Sequence, residues 1–186
     1  MSFKKNKYLV IKKAISPDLA DFCYTYFLNK RRVAKFLFEE KYLHPYETMF
    51  GVWNDAQVPN TYSHYADLVM ETLLLALIPR MEKETGFKVY PTYSYARIYK
   101  NGDVLHRHSD RYSCEVSTTL NLGGDPWPIY LEPSGKQGMA GIKINLSPGD
   151  MLIYRGCDLE HWREAFEGQH CGQVFLHYND QKSKDA

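Results

Sequence analysis

Neither sign of charge prevails in this chain: 23 Lys and Arg stand against 22 Asp and Glu. A net charge of +1 leaves no basic field to attract nucleic acid and no acidic one. Cysteine is scarce, with four residues at 23, 114, 157 and 171, and no CxxC occurs. This excludes a zinc knuckle, a dithiol redox motif and a small disulfide scaffold, and makes reduced thiols in a cytoplasmic setting the expectation. Long apolar runs are missing too. The longest, LLLALI from Leu73 to Ile78, is far short of the roughly 20 residues that cross a bilayer. The N-terminal stretch has a brief apolar run broken by Lys12 and Lys13, which does not read as a secretion signal. No repeat, low-complexity tract or linker divides the sequence. One domain over 1–186 is therefore expected, long enough for a sizeable core.

What is present falls into two patterns. Residues 1–86 read as a mainly helical support region. Ser16, Pro17 and Asp18 form a helix start, with a capping hydroxyl, a proline where no N–H is needed and an acid at the positive end of the dipole. Leu19, Phe22, Cys23, Tyr26 and Phe27 follow at helical spacing, and the helix can continue through NKRRVAKFLFEE. The basic residues of NKRR read as its solvated end. After an aromatic loop, a second helix is expected from Asn60 or Thr61, with Val69, Leu73, Leu77 and Met81 on one face. Pro79 should kink or split it, and Gly86 should cap it.

From Phe87 the period changes to two. Eight short segments rich in β-branched and aromatic residues follow, separated by turn signals such as KNG, GGDP and SPGD. Their number and spacing predict a barrel or jelly roll over 87–180, with 181–186 as a charged tail. The fold class expected is α+β with a mainly β core.

One segment carries ligand chemistry. In VLHRHSD, His106, His108 and Asp110 occupy alternate positions, so a regular strand would show all three on one face. A later segment, DLEHWRE, brings His161 with Arg163 two positions on. Two metal architectures can use these residues. A facial triad H-x-D…H would take His108, Asp110 and His161 and leave open positions on iron(II). A cupin-type site would take His106, His108, Glu115 and His161. Glu115 lies later than the cupin pattern has it, and Pro148-Gly149 precedes His161 by more than ten residues, so the triad is the better fit.

With these residues in view, RIYKNGDVLHRHSD, CEVSTTLNL, SPGDMLIYRGCDLEHWRE and GQVFLHYND resemble, in order, segments of the iron(II)- and 2-oxoglutarate-dependent oxygenases. The resemblance is to their prolyl-4-hydroxylase-like branch and covers about 87–180. It implies a double-stranded β-helix (jelly roll) with N-terminal bracing helices and a metal at its open end. It also implies iron(II), dioxygen and 2-oxoglutarate as co-substrate, with ascorbate as an auxiliary reductant. His108, Asp110 and His161 would be both the metal ligands and the catalytic centre, with His106 a neighbour. The activity implied is an oxygenase, a hydroxylase releasing succinate and carbon dioxide. The substrate would be a peptide, protein or amino-acid-like molecule, with no nucleic acid and no membrane as partner. The alternatives are a cupin-like isomerase or dioxygenase without 2-oxoglutarate, and a jelly-roll binding protein without turnover.

The sequence departs from the family at one point. The cation that usually holds the co-substrate's far carboxylate stands about ten residues after the distal histidine, where this chain has His170, Cys171 and Gln173. Arg163, on the face of His161, is the expected replacement, with Arg97 second. Tyr99 and Thr119 are expected beside the co-substrate, and Arg111 and Trp127 beside the substrate, with Trp53 a further groove candidate.

Overall fold

A computed structural model describes residues 2–184. Helix α1 (Phe3–Asn6) and strand β1 (Tyr8–Ile11) precede the long helix α2 (Pro17–Glu39). The start of α2 is as expected: the Ser16 hydroxyl accepts from the Leu19 N–H at 3.1 Å, and Pro17 is the first helical residue. The NKRR stretch is not a helix end. It lies within α2, and Lys30 turns inward to the buried Asp67 at 2.5 Å.

The second helix begins later than its apolar spacing suggests. Strand β2 (Tyr62–Tyr65) occupies the residues read as its first turn. Tyr62, Ser63 and His64 are buried and pair with the following strand, so a sheet edge wins over helical periodicity. Ala66 turns the chain with a φ of 57°. The Asp67 carboxylate then caps α3 (Leu68–Ala76), accepting from the Val69 and Met70 N–H groups at 3.0 and 3.3 Å. Pro79 splits the helix as expected: α4 (Ile78–Thr85) carries it in its first turn and ends at Gly86 with a φ of 71°.

The eight expected strands are all present: β3 (Val89–Lys100), β4 (Leu105–His108), β5 (Val116–Gly124), β6 (Ile129–Leu131), β7 (Ile142–Ile144), β8 (Met151–Tyr154), β9 (His161–Arg163) and β10 (His170–Asp180). With β1 and β2 they form two antiparallel sheets. The six-stranded sheet runs β1-β8-β5-β10-β3-β2 and the four-stranded one β4-β9-β6-β7. In the expected tail, Gln181–Lys184 forms a 3-10 turn, while 185–186 lie outside the described residues.

Alternation decides what each face of the large sheet meets. Ala96, Ile98, Leu120, Val174 and Leu176 pack on Cys23, Phe27, Met70 and Leu74 of the helices. The residues between them turn toward the small sheet: Tyr95, Arg97 and Tyr99 on β3, Ser117 and Thr119 on β5, Gln173, Phe175 and His177 on β10. Their apolar neighbours form two further clusters between the sheets, one around Tyr99, Leu105, Trp127 and Phe166 and one around Ile129, Leu152 and Tyr154. This is a jelly roll braced by helices on one side.

Candidate metal centre

The small sheet carries the ligand residues. β4 and β9 pair with Leu105 opposite Arg163 and His108 opposite His161, and the register shifts between these pairs. Four residues on β4 thus span three on β9, so that two residues, His106 and Arg107, stand opposite Trp162 alone, which is a β-bulge. The bulge corrects the expectation for His106. In a regular strand His106 would share the face of His108. Here Leu105 and His108 are the partners of β9, and the His106 side chain is exposed on a shallow surface hollow with Val58, Pro59 and Asn101.

His108, Asp110 and His161 come together. One ligand atom from each lies within 4.8 Å of the others. Asp110 Oδ1 is 3.7 Å from His108 Nε2 and 3.6 Å from His161 Nε2. Both imidazoles are oriented by their own strand ends. His108 Nδ1 lies 2.7 Å from the His106 carbonyl oxygen and His161 Nδ1 lies 3.1 Å from that of Leu159. A carbonyl only accepts, so each Nδ1 carries a proton, and Nε2 is the atom each ring turns toward the carboxylate. Burial, together with His108, pushes the His161 imidazole down to about 4 against the pull of Asp110, which keeps it neutral.

Asp110 is fixed from behind. Its N–H donates to the Gly156 carbonyl at 2.8 Å, and its Oδ2 accepts from the Ser117 hydroxyl at 2.5 Å. A Cβ on Gly156 would fall 2.3 Å from that same Oδ2, so glycine is needed for the carboxylate to sit there. In front, Gln57 donates to His108 Nε2 at 3.2 Å.

The cluster opens into a cavity of about 550 Å³ between the sheets. Tyr65, Tyr93, Tyr95 and Phe175 form aromatic walls, and the buried Leu105, Ile129 and Tyr154 line it on the barrel side. Two arginines lie 1 % exposed nearby and differ in their partners. Arg97 lines the cavity and is neutralised by Asp55, which Tyr95 also holds; it adds bonds to Tyr99 Oη at 3.0 Å and Gln57 Oε1 at 3.2 Å. Arg163 has no carboxylate among the described residues. It donates to the Trp127 carbonyl at 2.5 Å and to Thr119 Oγ1 at 3.3 Å, and its Nε has no partner. Thr119 in turn donates to Gln173 Oε1 at 3.1 Å. The Arg163 guanidinium is thereby linked to the last-strand residue that stands near the usual cation position.

The other expected residues are distributed as follows. Tyr99 is buried beside Arg97, its ring 4.7 Å from that of Trp127. Arg111 is exposed at the cavity mouth. Trp127 is not at the rim. It is 7 % exposed, its indole N–H donates to the Glu164 carbonyl, and its ring covers the Arg163 guanidinium at 4.9 Å. Core burial of this large ring removes it from the substrate surface. Trp53 packs on Phe38 and Tyr62, outside the cavity lining. Glu115 binds Arg155 at 2.8 Å, so the cupin set of His106, Glu115 and the other two histidines is not assembled. Sequence reasoning missed Asp55, Gln57, Ser117 and His177. Ser117 and His177 share the inward face of strands that were expected, so alternation could have marked them. Asp55 and Gln57 sit on a loop with no periodic signal.

Solved structures of other proteins share this architecture. A Pseudomonas putida prolyl-4-hydroxylase matches with a TM-score of 0.66 at 12 % identity, over 96 % of this chain and 95 % of its own. The α-ketoglutarate-dependent non-haem epimerase SnoN from nogalamycin biosynthesis matches at 0.71 and 12 %, over 96 % and 78 %. HygX from Streptomyces hygroscopicus, solved with nickel and 2-oxoglutarate, matches at 0.64 and 15 %, over 96 % and 85 %. The fold is that of the 2-oxoglutarate/iron(II) oxygenases. At these identities the likeness concerns the fold. No family model and no curated protein matches the sequence. Among the described residues no helix is long and apolar enough to cross a membrane.

Proposed function

We propose that this protein is a non-haem iron(II)- and 2-oxoglutarate-dependent oxygenase. More finely, it is a hydroxylase of the prolyl-4-hydroxylase-like kind, acting on a peptide or amino-acid-like substrate. One observation carries the reading: the His161 Nε2, a His108 Nε2 reached by the Gln57 amide alone, and a carboxylate oxygen converge within 4.8 Å. Three acceptors at that distance repel one another unless a cation joins them, and two imidazoles with one carboxylate form the donor set that suits iron(II) with open positions. Bound there with 2-oxoglutarate, iron(II) would supply the dioxygen chemistry that hydroxylates a C–H bond and yields succinate and carbon dioxide.

The chain's own residues then have defined tasks. His108 and His161 hold their Nε2 atoms inward through the backbone bonds at Nδ1. Ser117 and Gly156 orient Asp110. Arg163 is the cation for the far carboxylate of 2-oxoglutarate, with the Thr119 hydroxyl turning from Gln173 to serve as a second donor and Tyr99 and Trp127 enclosing it. A buried guanidinium with an unpartnered Nε and no acid nearby is unsatisfied until such an anion arrives. A second reading gives this task to Arg97, because Arg97 lines the cavity and Arg163 does not. In that case Asp55 must release it. Arg111 stands at the mouth for substrate.

The test is turnover without substrate. Protein, ferrous iron, ascorbate and 2-oxoglutarate are incubated in air, and succinate is measured over a no-protein control. Iron-dependent succinate, lost in His161→Ala, is expected. No succinate above control contradicts the oxygenase reading and favours a binding protein.

A further inference from the structure

His177 is a cavity imidazole that the ligand cluster does not use. It is 6 % exposed, yet its ring lines the cavity, packed against Tyr93 with 4.6 Å between ring centres. Its tautomer follows from Ser117. That hydroxyl has three neighbours: Asp110 Oδ2 at 2.5 Å, the Cys114 carbonyl oxygen at 2.9 Å and His177 Nδ1 at 3.1 Å. The first two can only accept. Ser117 has one proton, and it goes to one of them. The contact with His177 is therefore a bond only if Nδ1 carries the proton and donates to the Ser117 oxygen. Nε2 then keeps a lone pair, and no described residue donates to it.

A charge stands on the same wall. Arg111 leans over the Tyr93 ring at 5.4 Å and donates to the Tyr93 hydroxyl at 3.0 Å. No carboxylate pairs with it among the described residues, where Arg97 has Asp55. Tyr93 thus touches both groups, with Phe175 two positions from His177 on the same face of β10.

We infer that His177 Nε2 and Arg111 form the substrate subsite, and that the substrate is a small carboxylic acid bearing an amine or hydroxyl. The N–H or O–H donates to His177, the carboxylate meets Arg111, and the carbon chain lies between Tyr93 and Phe175. This inference rests on the proposed function and narrows its substrate. His177 is also joined through Ser117 to the back of Asp110, so a seated donor and the metal ligand share one hydrogen-bonded chain.

Two measurements test it. In metal-free protein labelled with ¹⁵N-histidine, nitrogen shifts should show His177 as the Nδ1–H tautomer, assigned by the signals lost in His177→Phe. An Nε2–H tautomer overturns the inference. Zinc-loaded protein with 2-oxoglutarate is then titrated with L-leucine, with 4-methylpentanoate, which lacks the amine, and with 3-methylbutylamine, which lacks the carboxylate. Leucine should move the His177 Nε2 resonance and bind at least tenfold more tightly than either truncated probe. Arg111→Ala should weaken leucine tenfold and leave the amine unchanged. Leucine binding no better than 4-methylpentanoate, or not at all, overturns the inference. Calorimetric zinc uptake by the same sample reads the metal centre separately. Protein that takes zinc but ignores leucine fails here while the proposed function stands.

Discussion

Two aspartates in this molecule sit among histidines, and they behave oppositely. Asp67, under α2 and α3, is fully buried and meets donors on every side: Lys30 at 2.5 Å, Tyr26 at 2.8 Å, His64 at 3.2 Å and two helix N–H groups. Burial alone would raise its carboxyl, but hydrogen bonds from His64, Lys30 and Tyr26 outweigh it and hold the group well below the usual carboxylate range. Asp110, at the barrel mouth, has one oxygen served by Ser117 and the other facing the Nε2 atoms of two imidazoles, neither of them set to donate to it when the ring is neutral. The first site is complete as folded. The second is complete only with a cation. Residue types are similar at both, so the direction of the protons distinguishes a structural cluster from a binding one.

The largest expected effect breaks the first site. Asp67→Ala leaves Lys30 buried without its partner and removes the α3 cap, and should cost about 3–5 kcal/mol of stability in denaturant unfolding. The same change at Asp110 removes an acceptor from a cluster of acceptors, and metal-free Asp110→Ala should unfold within about 1 kcal/mol of the parent. Equal losses at the two sites would dissolve the contrast.

Next comes the affinity side. Asp110→Ala and His108→Ala should each weaken binding of an inert divalent ion at least about a hundredfold, near 2.7 kcal/mol. A smaller step concerns the two arginines. Arg163→Ala should raise the half-saturating 2-oxoglutarate concentration at least about tenfold, 1.4 kcal/mol, with ion binding unchanged. Lys should restore it only in part, lacking the planar fork. If Arg163→Ala saturates as the parent does while Arg97→Ala does not, Arg97 is the anchor.

The smallest effect is a pH slope. Burial pushes the His177 imidazole down to about 4. A histidine neutral when folded and ordinary when unfolded takes up protons on unfolding, so stability falls as pH drops below about 6.5 and goes on falling to about 4. Between pH 7 and 6 its share is about 0.7 kcal/mol. Metal-free parent should lose that much more than His177→Phe over this interval in urea unfolding. A parallel slope would mean that burial does not hold His177 neutral in the folded protein.

Sequence legibility followed the reach of local pattern. The eight barrel strands show period two, and His108, Asp110 and His161 are the ligand-type residues at their ends, so both were readable. β1 and β2 were not, because the apolar run of β1 breaks off at Lys12 and Lys13 among helical segments and β2 sits at the start of a convincing helical stripe. The bulge that turns His106 away is set by pairing with β9, which no local pattern contains. The pairing of Arg97 with Asp55 spans 42 residues and a loop, and Trp127 looks the same in sequence whether it lines a groove or fills a core.

The central claim is that His108, Asp110 and His161, without His106, form one cation site. Calorimetric titration of the metal-free protein with zinc tests it most directly. The account predicts one ion per chain in the parent, nearly unchanged affinity in His106→Ala, and affinity lost in His108→Ala. No stoichiometric binding, or equal losses on removing His106 and His108, would contradict it.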